Sequence, residues 1–95
     1  MYRNAKLLKL ARFSPCQNCG IENDTVVAAH SNQLRDGKGK GIKANDYRIA
    51  YLCYNCHTTV DQGKLDKALK TEIWEEAHRK SIAWLFENGY LDVRP

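Results

Sequence analysis

Between Asn4 and Phe13 the apolar residues Leu7, Leu8 and Ala11 recur at helical spacing among Lys6, Lys9 and Arg12. That pattern predicts a short amphipathic helix with Asn4 as its N-cap and its bases outward, ended by Ser14-Pro15. The run Thr25-Val26-Val27-Ala28-Ala29 is β-branched and apolar, bounded by Glu22-Asn23-Asp24, and predicts a strand that ends at His30. Ser31 to Ala44 has no apolar period and cannot build a core. Tyr47-Arg48-Ile49-Ala50-Tyr51-Leu52 alternates, which predicts a second strand antiparallel to the first. A short helix is expected from Tyr54 or Asn55 to the break at Gln62-Gly63. A longer one is expected from about Asp66 to Asn88, with Leu69, Ile73, Trp74, Ala77, Trp84 and Leu85 forming an apolar face and Gly89 as its C′ residue. The fold class is therefore α+β, a two-strand unit between a short N-terminal and a long C-terminal helix.

Length changes this picture. At 95 residues the chain reads as a single domain spanning residues 1–95. A domain of that size buries only about two-thirds of the surface its unfolded chain exposes, so an extra staple is expected. The chain carries four cysteines that can supply one. No run of apolar residues suggests a signal peptide or a membrane span, which predicts a cytoplasmic protein without a membrane partner. A net charge of +4 is compatible with a polyanionic partner.

The cysteines fall in two pairs, Cys16-Gln17-Asn18-Cys19 and Cys53-Tyr54-Asn55-Cys56. In a reducing compartment paired Cys-x-x-Cys motifs favour zinc over disulfides, and four thiolates close a tetrahedral site with no position left for water or substrate. Such a zinc is structural, and Gly20 is expected to supply the positive φ of the turn behind the first pair. His30, His57 and Asp61 then remain free for a second task. His57 and Asp61 are four apart on the expected helix, so one nitrogen and one carboxylate meet on one face as half of an open metal site. Arg35, Lys38, Lys40 and Lys43, interleaved with Gly37, Gly39 and Gly41, suit a loop that follows phosphates. A solvated loop has the same composition. Glu75 and His78 read as satisfied residues of the long helix. Cys53-x-x-Cys56-His57 also has the spacing of a haem attachment motif, but that reading leaves Cys16 and Cys19 unexplained and finds no methionine beyond Met1, so no haem is expected.

In order, Cys-x-x-Cys, a strand with His, a loop, a strand and Cys-x-x-Cys-His resemble the zinc-knuckled HNH endonucleases of the ββα-metal (His-Me finger) superfamily. More closely, Ala28-Ala29-His30-Ser31-Asn32, Gly41-Ile42-Lys43-Ala44-Asn45-Asp46, and Leu52-Cys53-Tyr54-Asn55-Cys56-His57 through Asp61-Gln62-Gly63 resemble the small prophage-encoded nucleases of the YbcO type. The resemblance extends from near Arg12 to the long helix with Trp74-Glu75-Glu76-Ala77-His78-Arg79. It implies a metal-dependent endonuclease that hydrolyses phosphodiester bonds in nucleic acid, DNA above all. His30 would be the general base and His57 a ligand of a catalytic divalent metal, Mg²⁺ or another. Many HNH enzymes place a second ligand just before the base, where this chain has Ala29, and Asp61 is the expected replacement. Asn45 is nearest to the central asparagine of the motif, and would orient either the loop or the base. A non-catalytic zinc-knuckle module that binds DNA, or an adaptor that binds a host protein, remain the other classes.

Overall fold

The computed structural model describes residues 1–95. Its elements follow the order helix α1 (Ala5–Lys9), strand β1 (Val27–His30), strand β2 (Ile49–Leu52), helix α2 (Tyr54–Gln62) and helix α3 (Lys67–Glu87). The strands form one two-stranded antiparallel sheet in which Val27 faces Leu52 and His30 faces Ile49. The molecule is thus α+β, with three helices around one small sheet.

Local signals set most of the boundaries. Asn4 caps α1 by accepting from the Leu7 amide, and the helix tightens into a 3₁₀ turn over Leu10–Phe13 before Pro15. Asp66 caps α3 in the same way through the Leu69 amide. At the far end Gly89 takes a φ of 77°, and the Gly89 and Tyr90 amides return to the Phe86 and Leu85 carbonyls, so the last turn closes as a Schellman motif. The strands are shorter than expected: Thr25 and Val26 lie before β1, and Tyr47 and Arg48 form the turn that enters β2.

The expected alternation in β2 does not survive packing, because all of its residues are buried. Tyr51 is fully enclosed and its hydroxyl donates to the Leu7 carbonyl of α1; burial pushes its pKa up to about 12. The unpaired edge of β2 is covered by neighbours. The Tyr51 amide donates to Ser81 Oγ at 2.9 Å and its carbonyl accepts from the Gln17 amide at 2.8 Å. His78 Nδ1 reaches the Ile49 carbonyl at 2.7 Å, and Trp74 Nε1 donates to the Ala29 carbonyl at 3.0 Å. Trp74, His78 and Ser81 stand at i, i+4 and i+7, so the face of α3 that meets the sheet is a polar seam as well as an apolar one. Leu69, expected on that face, is instead 41% exposed, because α3 reaches past the sheet at its N-terminal end.

His78 stacks on Trp74 and is neutral in this setting. Burial lowers its pKa below the ordinary 6.5, and Arg48 lowers it further; the Ile49 carbonyl and the charges of Glu75 and Asp36 raise it without restoring the ordinary value. A histidine depressed by folding contributes stability that is present above its unfolded pKa and is lost as pH falls through the lower folded value. With zinc in excess, the melting temperature of the wild type should fall more steeply below pH 6.5 than that of His78→Gln, whose amide can donate to Ile49 without titrating. Parallel pH profiles would contradict this role for His78.

Candidate functional site

The first cysteine pair sits in a tight turn before β1. The Cys16 amide donates to the Ile21 carbonyl and the Gly20 amide to the Cys16 carbonyl, both at 2.9 Å, with Gly20 at a φ of 81°. The second pair opens α2, where Cys53 is the N-cap. In each pair the amide of the second cysteine lies 3.5 Å from the sulfur of the first, Cys19 over Cys16 and Cys56 over Cys53. The ligand sulfurs all lie within 4.8 Å of one another. A tetrahedral ion with metal–sulfur distances of about 2.3 Å needs sulfurs about 3.8 Å apart, and Cys19 and Cys53 are separated by 3.8 Å.

Electrostatics also asks for a cation here. Burial would raise Cys16, but the Cys19, Cys53 and Asn18 amides outweigh it and bring its pKa down to about 6. Cys56 is pushed up to about 12, chiefly by burial and then by the other thiols, against the Asn18 side chain that donates to its sulfur. Four clustered sulfurs cannot all ionise without a positive charge among them, and a divalent soft-metal ion supplies it. The four cysteines therefore form a candidate metal site consistent with structural zinc.

His30 is the last residue of β1, and its side chain is 13% exposed. Its Nε2 lies 2.7 Å from Asp46 Oδ1. Asp46 is 2% exposed and is also held by Arg3 Nη1 at 3.1 Å and by the Asn4 amide at 2.6 Å. Burial alone would raise the Asp46 pKa. The hydrogen bonds from His30 and Asn4 and the charges of His30 and Arg3 outweigh it, so the carboxyl sits below the usual range and is ionised. With the ionised Asp46 as acceptor, the neutral form of the His30 ring carries its proton on Nε2 and its lone pair on Nδ1. This partner had no signature of its own in the sequence: Asp46 is 16 residues from His30 and is the second half of an Asn-Asp pair that reads as a turn.

Asn45 makes no hydrogen bond to His30. Its Oδ1 accepts from the Tyr2 amide at 2.8 Å and its Nδ2 donates to the Asp36 carbonyl at 3.2 Å. Of the two roles open to Asn45, it performs the first, clamping the N-terminal segment to the loop rather than touching the base. Gly37 makes that clamp possible, because it takes a φ of 93° and a Cβ there would meet Asn45 Nδ2 at 2.9 Å. Arg3 completes the strap by donating to the Lys43 and Ala44 carbonyls.

His57 and Asp61 do meet on one face of α2, with His57 Nε2 2.9 Å from Asp61 Oδ2 and both side chains 36% exposed. The other Asp61 oxygen accepts from Asn32 Nδ2 at 3.0 Å. Asn32 follows His30 by two residues, so the end of β1 is tied directly to the α2 pair. Apart from the cysteines, no group of three metal-ligating side chains converges anywhere in the chain. Ala29 is 1% exposed and packs into the core, so a carboxylate there would point away from solvent. The donor set of His57 and Asp61, one nitrogen and one carboxylate at half-exposure, suits a divalent ion whose other positions are filled by water or phosphate oxygens.

The loop cations divide. Arg35 bonds to Gln33 and lies 3.3 Å from Glu75. Lys38, Lys40 and Lys43 form no ion pair. A bridge between Gly39 and Ile42 places Lys40 in a tight turn at the loop tip. Glu75 holds Arg48, which also pairs with Asp36 at 2.9 Å and lies over the Trp74 ring. Glu75 and His78 are thus satisfied structural residues, as read from the sequence. No helix is long and apolar enough to cross a membrane. No protein-family model, curated protein or solved structure matches the chain.

Proposed function

We propose that the protein is a metal-dependent endonuclease of the HNH type that hydrolyses phosphodiester bonds in DNA, with its cysteines holding a structural zinc. The observation that carries this reading is the pairing of His30 with the ionised, buried Asp46, together with a half-exposed His57–Asp61 pair that is bonded to Asn32, two residues after His30. Asp46 holds the imidazole in the tautomer that presents Nδ1 as an acceptor. Nδ1 takes a proton from water as the water oxygen bonds to phosphorus and the bond from phosphorus to the leaving oxygen breaks, with solvent returning a proton to that oxygen. His57 and Asp61 would hold a divalent ion, which would supply positive charge to the phosphate and leaving oxygens. Arg3 and Asn4 keep Asp46 charged, and Asn32 keeps Asp61 turned toward His57.

A non-catalytic zinc-knuckle module that binds DNA is the second reading, favoured by one observation: no third protein ligand joins His57 and Asp61. Metal titration of activity separates the two. His57→Ala and Asp61→Ala should lose activity that partly returns at higher divalent-ion concentration, whereas His30→Ala should not recover. Wild-type protein that binds DNA but cuts no substrate at any divalent-ion concentration would favour the module. Under either reading, removing Lys38 and Lys40 together should lower the slope of log K against log salt by about 1.8 on duplex DNA, about 0.9 per phosphate contact. An unchanged slope would leave that loop without a phosphate role.

A further inference from the structure

A groove of about 920 Å³ opens between the segment after β1, the C-terminal end of α2 and the first turns of α3. Its lining includes Asn32 and Asp61, the latter paired with His57; Arg35, which is paired with Glu75; and Lys67 and Lys70 from α3. We propose that this groove is a track for the phosphate backbone of one nucleic-acid strand, leading to the His57–Asp61 pair, with Lys67 and Lys70 as its main phosphate contacts. The proposal deepens the nuclease reading and rests on it.

Charge complementarity argues for this occupant. Lys67 and Lys70 are three apart on α3 and so point the same way. Neither forms an ion pair, although α3 also carries Glu72, Glu75 and Glu76. Asp61 is the only carboxylate in the lining, and it belongs to the candidate ligand pair. Of the remaining polar lining, Asn32 and Gln33 donate to Asp61 and Glu75, and the Gln62 amide and Thr71 hydroxyl are left to donate to phosphate and sugar oxygens. The floor is not built for a base: the Trp74 ring is 5% exposed, stacked on His78 and covered by Arg48. Phosphate tracking rather than base stacking is the chemistry this lining supports. Lys38, Lys40 and Lys43, the loop cations singled out from the sequence, do not line the groove.

Fluorescence anisotropy with labelled duplex and single-stranded oligonucleotides, on zinc-loaded protein without a second divalent ion, tests the groove by its salt dependence. Lys67→Ala/Lys70→Ala should lower the slope of log K against log salt by about 1.8 on duplex or about 1.4 on single strands. The control Lys9→Ala/Lys80→Ala removes the same charge outside the groove and should keep the wild-type slope. An unchanged slope in the groove variant overturns the proposal, as does an equal fall in the control, which would mean that only net charge matters. Cleavage is measured separately on the same proteins. A groove variant with unchanged slope in a protein that still cuts removes the track alone, whereas binding without cleavage by any variant, wild type included, removes the nuclease reading.

Discussion

Removing the metal from the cysteine cluster is expected to unfold the protein. The cluster joins the turn before β1 to the N-terminus of α2, and through the bond from Gln17 to Tyr51 it also braces β2. Structural zinc contributes on the order of 10 kcal/mol of apparent free energy in small domains. Net stabilities of whole domains are only about 5–15 kcal/mol, so a core of this size has no reserve against that loss. Cys16 and Cys53 are buried, and once the ion is gone no metal–sulfur bond joins the turn before β1 to the start of α2. Chelation should therefore abolish the near-UV CD signal, and re-addition of zinc should restore it. The exposed Cys19 gives a variant that cannot be blamed on core packing: Cys19→Ser should melt far below the wild type and hold less than one zinc. Metal-free protein with unchanged near-UV CD, or a well-folded Cys56→Ser variant, would contradict the structural role.

On the proposed nuclease reading, replacing His30 with alanine should lower the cleavage rate by about 10²–10⁴-fold, the usual contribution of a general base. Zinc content and DNA affinity should stay close to those of the wild type, because His30 lies at the end of β1, outside the cysteine cluster; melting should fall modestly, since Asp46 loses the His30 ring but keeps Arg3 and the Asn4 amide. Asp46 is expected to behave differently. Its carboxylate also holds Arg3 and the Asn4 amide, so Asp46→Ala leaves buried donors unpaired and should lower stability together with activity. The contrast between an inactive His30 variant that melts only modestly lower and a more destabilised Asp46 variant distinguishes the reacting group from the group that positions it.

The parts of the molecule that were legible in the sequence are those fixed by neighbours in the chain. Asn4 and Gly89 mark helix ends because a cap needs only residues three or four positions away, and the Cys-x-x-Cys spacing carries its own turn geometry. The His57–Asp61 contact was legible for the same reason, being one helical turn long. What stayed hidden depends on distant residues. Arg3 and Tyr2 reach the Lys43–Asp46 segment across some forty positions, and they turn a stretch with no apolar pattern into a braced loop. Asp46 became the partner of His30 only through that brace. The polar seam of Trp74, His78 and Ser81 is not legible in the sequence, where Trp74 alone reads as part of an apolar face, because the backbone groups the seam satisfies lie on β1 and β2. Leu69 was misplaced for the opposite reason: its period is right, but the sheet ends before α3 does.

The central claim is that one zinc holds the fold while a separate open site cuts DNA. Its most direct test is cleavage of plasmid, branched and single-stranded DNA by zinc-loaded wild-type protein, with Mg²⁺, Mn²⁺, Ni²⁺ or additional Zn²⁺ supplied in turn. The account predicts that at least one substrate is cut only when a second divalent ion is added, while one zinc per chain stays bound throughout. DNA bound but left intact on every substrate with all of the added metals would contradict it.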